Sequence, residues 1–271
     1  MTTRTARRAL PLASATAAAL LSLSACGSSS AGSPAGSGGS GAASSRLSGT
    51  VTVFAAASLK ESFTTLGKEF EKAHPGTEVT LNFNGSDSLA AGITGGAPAD
   101  VFASASDRTM ATVTGHGDAA GAPTAFARNR LEIATLPGNP DGITGLRDLT
   151  ASGLKVVLCD RNVPCGAAAR KVLDAGGVEL TPASYERDVK SALTKVVLKE
   201  ADAALVYRTD VRAAGDKVDG VDFPESAEAV NEYPITLLKD APNPDAAKAF
   251  IDLVKSAAGQ QVLAASGFSK P

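Results

Sequence analysis

Three short stretches of this chain place small residues and neutral donors where a helix is about to begin, and a fourth helix start follows a charged stretch. Ala55-Ala56-Ala57-Ser58 precedes a helix expected near Leu59, and Asn84-Gly85-Ser86-Asp87 precedes one expected near Ser88. Val163-Pro164-Cys165-Gly166 leads into a helix from Ala167, and Tyr185-Glu186-Arg187-Asp188 into one with Val189 in its first turn. The first backbone N–H groups of a helix have no intrahelical acceptor, and the aligned peptide dipoles leave partial positive charge at that end. Small residues such as Ala57, Ser58, Gly85, Ser86 and Gly166 let a guest approach that backbone, and serine adds an O–H donor. Such groups can together capture an anion without using Lys or Arg. Taken singly, a serine at a helix start is an N-cap. Capture requires several starts to converge on one point.

Alternating strands and helices must position these junctions. Val51 to Phe54 reads as a short apolar strand, and Leu59, Phe63, Leu66 and Phe70 recur along one helical face. His74-Pro75-Gly76 stops that helix. Val79, Leu81 and Phe83 alternate as a half-buried strand, Leu89 to Ile93 reads as helix, and Val101-Phe102 opens another strand. Leu131 to Thr135, Lys155 to Cys159, Ala204 to Tyr207 and Tyr233 to Leu238 are further strands. Ala167 to Ala175 and Val189 to Lys199 are helical, and Ala246 to Ala264 forms a long terminal helix or a pair. This alternation predicts an α/β fold of mostly parallel sheets with helices on both faces. Ligands of such sheets sit at the carboxyl ends of strands, where the junctions lie.

The N-terminus reads as an export segment. Arg4, Arg7 and Arg8 precede an apolar stretch from Ala9 to Leu23, which ends in Leu23-Ser24-Ala25-Cys26. That pattern resembles a lipoprotein signal, with residues 1–25 removed and a lipid on Cys26. The stretch is short for a membrane span, which needs roughly 20 residues. Residues 26–48 are dominated by Gly, Ser and Ala, the composition of a flexible tether. Cleavage takes three of the 26 basic residues and none of the 28 acidic ones, leaving 23 against 28 and a net charge of −5. With no basic run and few aromatics, nucleic-acid binding is excluded as a function class. Three cysteines occur. If Cys26 carries lipid, Cys159 and Cys165 remain as an even pair, either a local disulfide in an oxidising compartment or two buried thiols. His74 and His116 have no neighbouring residues with metal-ligand spacing.

Five segments in order resemble the periplasmic molybdate-binding proteins. They are Val51-Thr52-Val53-Phe54-Ala55-Ala56-Ala57-Ser58-Leu59, Gly96-Ala97-Pro98-Ala99-Asp100-Val101-Phe102-Ala103-Ser104-Ala105, Val163-Pro164-Cys165-Gly166, Ala203-Ala204-Leu205-Val206-Tyr207 and Glu232-Tyr233-Pro234-Ile235. The resemblance spans residues 50–271. It implies a type II periplasmic-binding-protein fold, with residues 49–128 and 231–271 in one lobe and 129–230 in the other. It implies a molybdate or tungstate ligand in the cleft, delivery to an ABC permease, a monomer anchored by lipid on the extracytoplasmic face, no cofactor and no catalytic residue. Molybdenum would enter only as its oxyanion. Carried over by position, the ligand contacts are Ser58, Ser86, the backbone N–H of Cys165 and of Val189, and the hydroxyl of Tyr207. The second segment of donors departs from the family pattern: Asp87 puts a carboxylate beside Ser86, and Ser88 is the alternative ligand.

A binder of sulfate or a small carboxylate on the same fold is the nearest alternative. A carboxylate binder would use an arginine clamp, for which Arg161 and Arg187 lie near the proposed loops. An exported hydrolase would need a base for Ser58, and His74 stands at the far end of its helix.

Overall fold

The computed structural model describes residues 46–271. The expected signal peptide, Cys26 and the tether as far as Ser45 lie outside the described residues. The chain first lays down β1 (Gly49–Ala56), a 3₁₀ turn (Ala57–Leu59), α1 (Lys60–Ala73), β2 (Thr77–Asn84) and α2 (Ser86–Thr94). There follow β3 (Val101–Ala103), α3 (Asp107–His116) and β4 (Thr124–Asn129). It then builds β5 (Leu131–Thr135), β6 (Val156–Cys159), α4 (Pro164–Gly176), β7 (Ser184–Glu186), α5 (Val189–Val197), β8 (Ala203–Tyr207), α6 (Arg208–Ala214) and β9 (Asp219–Val221). The chain closes with β10 (Asn231–Leu237), α7 (Pro244–Lys255) and α8 (Ala257–Ala265).

The strands form two five-stranded sheets, ordered β2-β1-β3-β10-β4 and β7-β6-β8-β5-β9. Both are mixed rather than mostly parallel. In the first sheet β1 runs parallel to β2 and β3, whereas β10 is antiparallel to β3 and β4. In the second, β6 runs parallel to β7 and β8, whereas β5 is antiparallel to β8 and β9. The physical reason lies in the connections. A parallel neighbour needs a crossover, usually through a helix. Only Arg130 separates β4 from β5, so β5 enters the second sheet directly from the first. Strand β10 comes back to the first sheet after β9 with only a 3₁₀ turn between them.

Each sheet carries its own core. Phe63, Leu66 and Phe70 are the buried face of α1, and they meet Phe250 of α7 with ring centroids 5.9 Å (Phe63) and 5.6 Å (Phe70) away, edge on. Each such aromatic pair adds about 1 kcal/mol to the burial itself. The second core is mainly aliphatic, with Leu131, Ile133, Val172, Val196 and Leu205 among its fully buried members beside Tyr207 and Phe223.

Two helices begin earlier than the apolar pattern predicts. Helix α2 starts at Ser86 rather than near Ser88, and α4 starts at Pro164 rather than Ala167. Proline is pre-organised for the first helical position and loses no needed donor there. Ser86 and Cys165 therefore stand in the first turns of their helices, where free N–H groups are found.

Candidate anion-binding site

The carboxyl ends of β1, β2 and β8 and the starts of α4 and α5 border one small cavity of about 20 Å³. Ser58, Ser86, Cys165, Val189 and Tyr207 all line it. Ser58 and Ser86 come from junctions of the first sheet; the other three belong to elements of the second. All five are buried. Helices α2 and α4 have no side-chain cap at their N-termini, so the first-turn N–H groups there have no partner of that kind. Helix α5 is capped by Asp188, whose Oδ1 accepts from Ser191 N–H at 2.9 Å, two residues beyond Val189.

The hydroxyls are held in defined roles. Ser86 Oγ accepts from Ala105 N–H at 3.0 Å, which leaves its own proton for the cavity. Ser58 Oγ lies 2.9 Å from Tyr233 Oη. Tyr207 Oη is buried without a hydrogen-bond partner among the described residues. Burial, then the neighbouring Tyr233 and Asp210, hold its phenol well above the ordinary tyrosine range, so it stays protonated as a donor. A buried polar group without a partner costs roughly 1–3 kcal/mol, which a bound acceptor would recover.

Among the described residues, no lysine or arginine lines the cavity. Arg161 sits over the Tyr185 ring at 5.8 Å, and Arg187 is exposed beside Asp188, so neither forms a clamp. Asp87 is also outside the lining, and Ser88 is exposed, which leaves Ser86 as the cavity serine of that turn. Asn84 and Asp188 do belong to the wall. The Asn84 side-chain oxygen is occupied by Gly85 N–H at 2.8 Å, and the Asp188 carboxylate by Ser191. Behind the wall, Lys190 of α5 reaches Glu61 of α1 at 2.8 Å and Asp210 of α6 at 3.0 Å. Burial alone would lower the Lys190 pKa, but Asp210 and then Glu61 outweigh it and hold it above the ordinary lysine value. The arrangement is a set of uncharged donors drawn from both sheets, with the Lys190 ion pairs one layer back and Asp188 the one carboxylate in the wall. It can hold a compact anion, and it offers no nucleophile–base pair.

The sequence matches the family of bacterial extracellular solute-binding proteins over residues 51–269. The chain belongs to that family. Solute-binding proteins of this kind carry their guests and are not enzymes. Among similar relatives, the molybdate-binding protein ModA of Mycobacterium tuberculosis is 46% identical over 222 residues, covering 82% of this chain and 85% of that one. The molybdate-binding protein ModA of Haemophilus influenzae is 31% identical, covering 82% and 91%. The fold is shared with the periplasmic molybdate-binding protein of Azotobacter vinelandii, at a TM-score of 0.72 and 20% identity, covering 82% of this chain and 99% of that one.

Not every part of this candidate site was legible in the linear chain. Tyr233 falls inside a recognisable segment, yet its contact with Ser58 joins residues 175 positions apart. Asn84 and Asp188 sit in the picked junctions, but nothing in their spacing marks them as wall residues. Cys159 and Cys165 are joined as a disulfide, tying the end of β6 to the first turn of α4.

Proposed function

We propose that this chain captures molybdate, and tungstate with it, outside the cytoplasm and hands it to the permease of an ABC importer. One observation carries the reading: Ser58, Ser86, Cys165, Val189 and Tyr207 meet at a single small cavity whose wall holds no Lys or Arg among the described residues. In the bound state, Ser58 and Ser86 grip the tetrahedral dianion from one lobe, residues 49–128 with 231–271. The N–H groups of Cys165 and Val189 and the Tyr207 hydroxyl grip it from the other lobe, residues 129–230. Each charge-assisted bond in a site shielded from water contributes roughly 1.5–3 kcal/mol. Selection against sulfate rests on size, since molybdate and tungstate are the larger anions. Relatives named for molybdate binding support the same ligand.

Cys26 carries the lipid that holds the monomer at the outer face of the membrane, and the Gly/Ser-rich stretch after it is the tether. Titration calorimetry with molybdate, tungstate, sulfate and phosphate tests the ligand. Molybdate and tungstate are expected to bind at least tenfold more tightly than sulfate, and sulfate binding tighter than molybdate would refute the assignment. Mass analysis of the mature protein tests the anchor: a chain starting at an acylated Cys26 is expected, and an unmodified Cys26 overturns it.

A further inference from the structure

The Ser58 hydroxyl can turn either way, and what fixes it lies outside the cavity. Arg130 N–H, a backbone group that can only donate, gives its hydrogen bond to Asn129 Oδ1 at 3.0 Å. That pins the amide, so Asn129 Nδ2 faces inward and donates to Thr209 Oγ1 at 2.8 Å and to Tyr233 Oη at 3.4 Å. Tyr233 Oη has one proton, and its well-formed hydrogen bond besides that from Nδ2 is with Ser58 Oγ at 2.9 Å, the Tyr207 hydroxyl being a weaker neighbour whose own pKa is raised by donating toward Tyr233. The proton cannot point at Nδ2, which has no lone pair to offer. It goes to Ser58, and the Ser58 proton then has the cavity as its destination. Burial keeps the Tyr233 phenol protonated, since it raises that group's pKa far above the ordinary value. The relay starts where the chain crosses between the sheets, because Asn129 ends β4 and Arg130 alone precedes β5.

We propose that Tyr233, oriented by Asn129, is a positioning residue that turns the Ser58 proton toward the cavity and thereby disfavours oxyanions that carry a proton. The proposal rests on the reading of the cavity as an oxyanion site. Ser86 already accepts from Ala105 N–H, which turns its proton away from that wall and toward the cavity, and backbone N–H groups can only donate. Ser58 is thus the hydroxyl whose polarity depends on a side-chain relay. With the relay intact, a protonated oxygen of the guest meets protons at Ser58, at Ser86 and at the backbone N–H groups, which leaves it the rotatable Tyr207 hydroxyl and the occupied Asp188 carboxylate as acceptors. Without it, Ser58 Oγ can accept.

The test compares two anions of equal charge and similar size that differ in one proton, hydrogen phosphate and fluorophosphate, each titrated in competition with molybdate. In the full wild-type chain, fluorophosphate is expected to bind at least tenfold more tightly than hydrogen phosphate. Tyr233→Phe is expected to narrow that gap to below threefold, while molybdate binding weakens by about tenfold or less. A merely structural role would weaken all three anions in proportion and leave the gap unchanged, which overturns the proposal. Asn129→Leu removes the orienting amide while keeping the phenol, and serves if Tyr233→Phe does not fold. It too is expected to narrow the gap, and an unchanged gap there counts equally against the proposal. Should neither variant fold, the wild-type gap decides, and a gap below threefold overturns it, as does a wild type in which fluorophosphate fails to compete with molybdate. A wild type that binds neither molybdate nor sulfate refutes the oxyanion reading itself, whereas molybdate binding with an unchanged gap removes only the role of Tyr233.

Discussion

The two walls of the cavity supply donors in different ways. On the first-sheet side Ser58 and Ser86 offer side-chain hydroxyls, while on the second-sheet side Cys165 and Val189 stand in the first turns of α4 and α5, where the backbone itself donates. A backbone N–H at a helix start is aimed by the helix, whatever side chain the residue carries. A hydroxyl proton rotates, so the first wall needs outside help: Ala105 N–H for Ser86, and Tyr233 for Ser58. The comparison teaches that identity should matter on one wall and helix placement on the other. It also locates the charges. Lys190 joins α1 to α6 through Glu61 and Asp210, behind the donors rather than among them.

The largest effect is expected from cutting that charged link. Lys190→Ala leaves Asp210, fully buried, without its cation, and should cost roughly 3–5 kcal/mol of stability, read as a lowered melting temperature. The sign with pH follows from the raised Lys190 pKa. Its contribution is complete below the unfolded lysine value of about 10.4 and is lost as pH rises through the higher folded value. Denaturation curves should show that alkaline loss in the wild type and a flatter profile in Lys190→Ala; an equal slope in both would count against the link.

Next comes the approach of the walls to each other. Gly85 needs its glycine for space: a Cβ there would lie 2.7 Å from the carbonyl oxygen of Arg187, the residue before Asp188 of the opposite wall, and 2.7 Å from Asp87 Oδ1. Gly85→Ala should therefore prop the walls apart and weaken molybdate by about 100-fold, close to 2.7 kcal/mol. Calorimetry showing wild-type affinity would mean that the second wall adjusts freely.

Smaller again is the loss of one hydroxyl. Ser86→Ala removes a donor and strands Ala105 N–H, for a loss of about 2 kcal/mol or thirtyfold in affinity. The sharpest contrast is with the other wall. Cys159→Ser combined with Cys165→Ser opens a short covalent loop and should lower stability by ~2 kcal/mol. Molybdate affinity should nonetheless stay within threefold, because the Cys165 donor is backbone. A loss as large as that of Ser86→Ala would erase the distinction between the walls.

Much of the scaffold was readable beforehand where spacing is decisive. Phe63, Leu66 and Phe70 fall on one face of α1 because a buried helix face repeats every three or four residues. Leu131 to Thr135 is β5 with the bounds read from the chain. Helix α3 escaped, since its only buried apolar residues are Met110 and Val113; its start is set by Ser106, whose side chain accepts from Thr109 N–H. Strand β7 escaped because three half-exposed or exposed residues, Ser184 to Glu186, carry no pattern of their own and are held by pairing with β6.

The linear chain by itself determined which donors exist and that they stand at strand-to-helix junctions, because local residue size, helix periodicity and N-terminal chemistry act over a few positions. Only the tertiary structure decided that the junctions of two different sheets face one cavity, that Asp87 and the nearby arginines stay out of its wall, and that Tyr233 meets Ser58. Those outcomes depend on strand direction and on how two cores pack, and such contacts leave no trace in the spacing of the residues that make them.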